Sequence, residues 1–489
     1  MAVLPRAGQG FPAREAFYHL AEIDIRTQSC QGMACLVARN RDPDRWALAE
    51  SADPRVYCLG RCFDAPARAD DIGDPTIDVA CENPVLLERC AVAAATGLGD
   101  YRSGGGYQAL DRAIAVGVEA TLSEMDASRH RGRGGAAYPV AWKWRAARSR
   151  PDGPRVVVVN ADEGDPGAYI DRMLLEKDPH AVLEGLAIAA FAVGAEHAYI
   201  YVRREYPDAL TAIRVAVTEA QQGGILGDSL LGHGPALTVT VVAGKGSYVC
   251  GEETALLNAL EGRRPMVRVR PPYPAERGLF GLPTVVNNVE TLASVPWIIG
   301  HGGRAYAAMG SGNSRGTKAV SLNSLFVRPG LYEVEFGIPL REIVDRLGGG
   351  LAGELRGVIV GGPLAAVLPP HLLDTPFGFD ELRGVGAALG HGGIIAFDET
   401  TSVVELIHHV FRFGAYESCG ACTPCRVGAA RIEDLFSGAL TVSGRAEWES
   451  IVHALADTSL CGHGSGLADF ASSVIRHYGE ELADADPDH

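Results

Sequence analysis

Eight of the eleven cysteines fall into two sets of four: Cys30, Cys35, Cys58 and Cys62 near the start, and Cys419, Cys422, Cys425 and Cys461 near the end. The late set reads C-x2-C-x2-C with a fourth thiol 36 residues on. Three thiolates at that spacing wrap one face of a cubane and a distant fourth closes it, the usual arrangement for [4Fe–4S]. A zinc site is the alternative, although zinc ligands usually come as two paired knuckles. The early set pairs Cys30-x4-Cys35 with Cys58-x3-Cys62. It suits a thioredoxin-like [2Fe–2S] domain in which two loops offer two thiolates each, with a zinc knuckle or a degenerate domain as the other readings. Cys81, Cys90 and Cys250 stand apart.

Between the two sets lie segments suited to a phosphorylated ligand. GRGGAAYPVAWKW (132–144) is a glycine-rich loop running into a helix, flanked by Arg133 and Lys143. Amides freed by glycine at a helix N-terminus form an anion site, though a glycine-rich turn without a ligand has the same composition. Asn160, Asp162, Glu163 and Asp165 follow a run of four valines, at the C-terminal strand edge where α/β sheets place ligands. A solvated acidic turn is the plainer alternative. GKGSYVCGEETALLNALEG (244–262) is a second glycine-rich turn opening a helix, with Glu252 and Glu253, and PPYP (271–274) and VVNNVET (285–291) come later.

The elements that must position these residues follow from periodicity. RVVVVNADE (155–163), EHAYIYV (196–202) and LTVTVVAGKG (237–246) alternate with helical stretches such as DPHAVLEGLAIAAFAVG, which predicts a parallel sheet with crossover helices. FYHLAEIDI predicts an opening strand of a small α/β unit. Beyond the Gly/Ser-rich GSGNSRGT (310–317), KAVSLNSLF, GLYEVEF, PLREIVDRLGG and GVIVGG predict strands around one helix, and helical periodicity dominates from 400 onward. Four domains are therefore expected in this α/β multidomain chain: 1–92, 93–309, 310–396 and 397–489.

With 489 residues, 47% hydrophobic and 21% charged, and 60 glycines, the chain suits several loop-rich α/β cores rather than disorder. A net charge of -16 without a basic run removes the electrostatic source of nucleic-acid binding. The N-terminus MAVLPRAGQGFPAREAF has no apolar signal core, and the apolar stretch Leu186–Val193 is too short to span a bilayer, so a cytoplasmic protein without direct membrane insertion is expected.

Taken in order, GRGGAAYP with KW, NADEGDPGAY, GSYVCGEET, TVVNNVETL and ESCGACTPCR with a later CG resemble the NADH-binding 51 kDa flavoprotein subunits of respiratory complex I and their soluble relatives in NAD-linked formate dehydrogenases and bidirectional or bifurcating hydrogenases, over residues 101–465. The resemblance implies a Rossmann-like FMN and NADH domain, a β-grasp middle domain and a C-terminal helical [4Fe–4S] bundle, with a shortened N-terminal thioredoxin-like [2Fe–2S] ferredoxin domain like half of the 24 kDa partner subunit. It implies non-covalent FMN held by Arg133, Gly134, Gly135, Lys143, Asn160, Asp162, Glu163, Asn287 and Asn288, with Tyr248, Gly251 and Glu252 beside the ring. Tyr138, Asp165, Glu253, Arg270 and Tyr273 match positions that hold NADH. No protein group is expected to act as acid or base, since FMN carries the hydride transfer.

Some positions depart from the family pattern. Ala137 and Tyr138 replace its Gly-Phe, Lys245 and Ser247 stand where small apolar residues are common, and Arg270 replaces a usual lysine, which leaves NADP(H) open beside NAD(H). Only 22 residues separate Cys35 from Cys58, fewer than in the usual ferredoxin domain. The expected role is the diaphorase (beta) subunit of a soluble formate dehydrogenase. Its partners would be a molybdenum or tungsten catalytic subunit and a small ferredoxin-like subunit. The same role beside hydrogenase subunits is the alternative, and a flavin-free iron–sulfur scaffold is a third reading of another class. Complex I itself fits less well, because its subunit normally lacks an N-terminal cysteine domain.

Overall fold

The computed structural model describes residues 17–91, 96–151, 153–438 and 442–484. The extreme N-terminus and the expected boundary at 92/93 lie outside the described residues. The strands are β1 (Thr76–Val79), β2 (Val156–Ala161), β3 (His197–Val202), β4 (Thr238–Ala243), β5 (Thr284–Asn288), β6 (Gly310–Ser311), β7 (Ser314–Arg315), β8 (Thr317–Leu322), β9 (Gly330–Glu335), β10 (Leu355–Val360), β11 (Ala366–Leu368) and β12 (Gly393–Asp398).

A β-branched run with no alternation, Val156–Val159, is wholly buried, as expected of a central strand covered on both faces. It forms the middle of a four-stranded sheet in the order β4-β3-β2-β5, parallel throughout, with Val158 opposite both Tyr199 and Val286. Helix Pro179–Val193 covers one face: proline starts it, left-handed Gly194 ends it, and all but one of its residues are buried. Gly185 within it has no room for a side chain, because a Cβ there would lie 2.0 Å from the Leu292 carbonyl oxygen.

A second, mixed sheet has six strands in the order β1-β9-β8-β12-β10-β11. The buried Lys318–Glu290 ion pair, at 2.5 Å, fastens β8 of this sheet to the helix that follows β5 of the first. Helices Val403–Tyr416, Ala429–Phe436, Val442–Thr458 and Gly462–Asp484 complete the chain. The first begins with a capping box, Ser402 with Glu405, and the last docks on β11, where the Ser473 hydroxyl accepts from the Val367 amide at 2.9 Å.

The N-terminal segment departs from expectation. Among the described residues 17–91 the one strand is β1, and it pairs in parallel with β9 of the six-stranded sheet, so no thioredoxin-like sheet forms. Four buried cysteines and short helices, Met33–Val37 and Pro43–Glu50, wrap directly on the body instead. FYHLAEIDI is not a strand either: the amides of His19 and Leu20 donate to the carbonyls of Gly246 and Lys245, and the segment turns over the loop after β4. Too few residues separate the cysteine pairs to build a sheet, and the segment finds its backbone partners on the body.

Candidate functional site

Loops from both sheets converge above the C-terminal ends of β2, β3 and β5. Gly134 packs on Asn288, with a Cβ position 3.0 Å from the Asn288 Cβ, and Gly135 takes φ 106°, a conformation that glycine adopts freely. Asn160, next to last in β2, donates to the Gly251 carbonyl at 2.7 Å, tying the NADEGD loop to the GSYVCGEE turn. Gly164 is needed because a Cβ there would enter the Tyr248 ring at 2.6 Å. The Tyr248 hydroxyl donates to Asp165 Oδ1 at 2.5 Å.

Several expected ligand residues have side chains committed within the protein. Arg133 is wholly buried, and its guanidinium donates to the carbonyls of Arg131, Arg315 and Thr317 and to the Tyr306 hydroxyl, lying 4.8 Å from the Phe336 ring. That side chain braces the glycine loop rather than facing it. Asn287 accepts from Trp144 Nε1 at 2.8 Å, and Asn288 donates to Asp171 Oδ2 at 2.5 Å. Glu163 accepts the amides of Ile170, Asp171 and Arg172 at the start of helix Ile170–Lys177, and Glu252 caps helix Glu253–Leu260. Burial raises Glu163 to about 7, with Asp171 adding to the rise.

Asp162 is partly buried, but its Oδ2 is inaccessible and has no partner, and desolvation holds its carboxyl well above the ordinary range. A buried polar atom without a partner implies a missing one. Beside it the glycine cradle and the free end of the parallel sheet fit a phosphorylated ring ligand. At the mouth, Lys143 Nζ lies 3.2 Å from Glu253 and Arg270 lies 3.3 Å from Glu253 and 3.8 Å from Glu252. Tyr138 and Tyr273 are half-exposed there, and Trp142 meets Tyr138 edge-on with ring centres 6.5 Å apart.

The late cysteines gather behind the Tyr248 turn. Cys419 packs with Val249 and Ala255, Cys425 lies in a π-helical turn, Pro424–Gly428, and Ser418 Oγ approaches Cys425 Sγ at 3.2 Å. Burial pushes Cys425 up to about 12 and Cys461 up to about 11, so holding them as thiolates at neutral pH requires a cation among them. The thiolate is the form that ligates metal, so the set fits a cluster.

The early cysteines form two pairs. Cys58 Sγ lies 3.6 Å from Cys62 Sγ, and a hydrogen bond with Cys35 lowers Cys30 to about 7 against its burial. Amides of Gly32, Gly60 and Ala67 point at the sulfurs of Cys30, Cys58 and Cys35 at 3.3, 3.3 and 3.4 Å. Cys58 takes φ 71°, a strained conformation for a non-glycine residue. Two sulfurs on one tetrahedral ion lie about 3.8 Å apart for bonds near 2.3 Å. Among the described residues the one trio of ligand atoms lying within 4.8 Å of one another is Glu163, Asp171 and His391, so no three of these sulfurs surround a single point. Two ions, each held by one pair, fit this arrangement better than one zinc.

Sequence reasoning missed the residues that join these parts. Arg203, at the end of β3, reaches the carbonyls of Glu163 and Tyr57, and Arg172 donates to the Gly60 carbonyl at 3.0 Å. Asp171, Glu417 and His391 are buried beside the loops. Glu417 accepts the Tyr248 amide, and burial raises it to about 8, while burial lowers His19, 3.6 Å away, to about 4. The position of Asp171 two residues after NADEGDPGAY, that of Glu417 at the head of ESCGACTPCR and the glycines around His391 were the signals that could have found them.

A family profile described as the Nuo51 FMN-binding domain matches residues 125–297, and one described as the NADH-ubiquinone oxidoreductase-F iron–sulfur binding region matches residues 405–485. The NADH-quinone oxidoreductase F 2 subunit of Rhizobium meliloti is 40% identical over 409 residues, covering 82% of this chain and 96% of the relative. The chain belongs to the family of NADH-quinone oxidoreductase F subunits. The corresponding F subunit of Aquifex aeolicus is 38% identical over 401 residues, 81% of this chain and 93% of the relative. A crystal structure of an NAD+-reducing [NiFe]-hydrogenase in the H2-reduced state superposes with a TM-score of 0.83 at 30% identity, over 98% of this chain and 87% of that one. As a member of this family the chain is an oxidoreductase subunit that binds FMN and a [4Fe–4S] cluster and uses NADH. No helix among the described residues is long and apolar enough to cross a membrane.

Proposed function

We propose that this chain is the diaphorase subunit of a cytoplasmic multi-subunit complex, exchanging electrons between NAD(H) and iron–sulfur clusters through FMN. The observation that carries this is the meeting of the loops Asn160–Asp165 and Tyr248–Glu252, the latter packed on Cys419, with Gly134 of the glycine loop against Asn288 at the end of the strand beside Asn160. In the proposal the amides of Gly134 and Gly135, with Lys143, Asn160, Asp162, Asn287 and Asn288, hold FMN. Glu163 supports that loop from below, and Tyr248, Gly251 and Glu252 wall the ring. Tyr138, Asp165, Glu253, Arg270 and Tyr273 line the nicotinamide entrance. Bound FMN supplies the exchange between a two-electron hydride donor and one-electron clusters. The protein's own task is to orient it and keep water away.

Cys419, Cys422, Cys425 and Cys461 are assigned to [4Fe–4S], and Cys30, Cys35, Cys58 and Cys62 to a [2Fe–2S] cluster, which their pairing supports. The parts 93–309, 310–396 and 397–489 are assigned in turn to a Rossmann-like, a β-grasp and an iron–sulfur domain. Arg270 is paired with two glutamates, which supports NAD(H) over NADP(H), since a further phosphate would face both carboxylates. Hydrogenase subunits as partners gain support from the solved NAD+-reducing [NiFe]-hydrogenase, whose likeness extends over nearly the whole chain. A formate dehydrogenase catalytic subunit rests on the sequence resemblance alone.

Copurification from the native source with peptide identification tests the partners, and FMN and iron content of the purified complex tests the cofactors. One FMN with about six irons per chain, and NADH-driven dye reduction, are expected. Four irons per chain would remove the [2Fe–2S] assignment, and a chain that purifies alone would remove the partners.

A further inference from the structure

Loop 385–392, ahead of β12, brings His391 into the floor of the flavin site. The loop is held tightly: Gly390 takes φ 53°, and a Cβ on it would lie 2.2 Å from the Gly361 carbonyl oxygen. His391 is buried, with Nε2 3.2 Å from Asp171 and 3.5 Å from Glu163, and Nδ1 3.9 Å from Asp165. Asn288 Nδ2 lies 3.4 Å from Nε2. From β8, Lys318 Nζ donates to the His391 carbonyl at 2.8 Å and is itself paired with Glu290. Three carboxylates therefore face the ring, and the Lys318 ammonium bonds its backbone and is already paired with Glu290.

Burial alone would pull the imidazole down, but Asp171, Glu163 and Asp165 outweigh it and lift His391 to about 9. The trio Glu163, Asp171 and His391 has the spacing of a metal site. Its carboxylate oxygens are already engaged, however: Glu163 accepts three amides, and Asp171 accepts Asn288 and the Glu290 amide. A proton on the ring satisfies the remaining acceptors without an ion.

We propose that His391 is a standing cation in the floor of the flavin site, a positioning residue that raises the reduction potential of the bound FMN. It joins Asp171 and Glu163 of the flavin half to the sheet of the other half and would place one positive charge beneath the loops that hold FMN in the proposal. A fixed charge near a flavin tunes its electronics, with positive charge favouring the electron-rich reduced form. The proposal rests on the placement of FMN among these loops.

The test is anaerobic spectroelectrochemical titration of FMN in the holoprotein and its His391→Gln and His391→Lys variants. Gln is expected to retain FMN but to shift the NADH/FMN equilibrium about tenfold away from flavin reduction, a fall of about 30 mV for a two-electron couple. Lys is expected to restore the wild-type potential. A wild-type potential in the Gln variant, or a Lys variant that matches Gln, would overturn the proposal. So would a stoichiometric divalent metal other than iron in the wild type. Should the variants fail to fold, the wild-type potential plotted against pH must show a break near pH 9, and a featureless line there refutes the idea. Gly134→Val checks the placement separately: it should abolish FMN binding, and FMN retention there would refute the placement rather than the charge.

Discussion

Lys318 and Glu290 are both wholly inaccessible, and their pair joins the two sheets behind the site. Replacing Lys318 by Met keeps the length of the side chain and strands the Glu290 carboxylate without a counter-charge. The carboxylate then takes up a proton. For a glutamate of ordinary pKa, about 4.3, protonation at pH 7 costs about 3.7 kcal/mol at 1.36 kcal/mol per unit, in line with the ~3–5 kcal/mol seen when one partner of a buried pair is removed. Lys318 also donates to the Ala319 and His391 carbonyls at 2.9 and 2.8 Å, which adds about 1 kcal/mol or more. At pH 5 the protonation cost falls to about 1 kcal/mol. Lys318→Met should therefore lower the thermal midpoint by roughly 5 °C at pH 7 and by roughly 2 °C at pH 5, in scans at one heating rate since unfolding of a chain this size is rate-controlled. Adding Glu290→Gln, which keeps the acceptor for the Ala319 amide, should return most of the loss. An equal drop at both pH values, or no recovery in the double variant, would refute the account.

Cys58→Ser should lower the iron content by about two per chain while FMN and NADH-dependent dye reduction persist, measured on the same preparation; loss of all iron would contradict two separate sites. Glu417, raised to about 8 in the folded protein by burial, contributes stability that is present below the ordinary carboxyl range and lost as pH rises through about 8. Glu417→Gln keeps the acceptor for Tyr248 and should flatten the fall in thermal midpoint between pH 5 and 8. Gly185→Ala, which in an exposed helix would gain about 1 kcal/mol, should instead destabilise strongly, because the new methyl would lie 2.0 Å from the Leu292 carbonyl oxygen; an unchanged or higher midpoint would be the contrary result.

Legibility of the sequence followed how local each signal was. The parallel sheet was readable because Val156–Val159 is continuous and β-branched and is followed at once by polar residues at the strand end. The late cysteines were readable because three sit within seven residues. The N-terminal segment was not. Its periodicity resembles that of a strand, but its backbone partners are Lys245 and Gly246, more than 200 residues away, and no local pattern encodes that pairing. Arg133 shows the same limit. A cation beside a glycine loop suggests an anion ligand, and only the positions of Arg315, Thr317 and Tyr306 reveal that its terminal nitrogens are turned to the protein's own acceptors.

The docking of the N-terminal cysteines on the body has a consequence for electron transfer. Cys58 Sγ lies 3.9 Å from the Ala168 carbonyl, and the Gly32 Cβ position lies 3.4 Å from Pro166, so one wall of the early cysteine site is the NADEGDPGA loop itself. Tyr57, next to Cys58, meets Phe413 at 5.0 Å, and Phe413 meets Tyr248 at 4.9 Å, between the early cysteines and the turn that carries the late set. A ferredoxin-like domain on a linker would have to dock before each transfer, and its rate would depend on that encounter. Here Arg172 and Arg203 bind the carbonyls of Gly60 and Tyr57 to the body, so the distance is fixed in the folded chain. The same contacts make the early cysteine site dependent on the flavin loop for its shape.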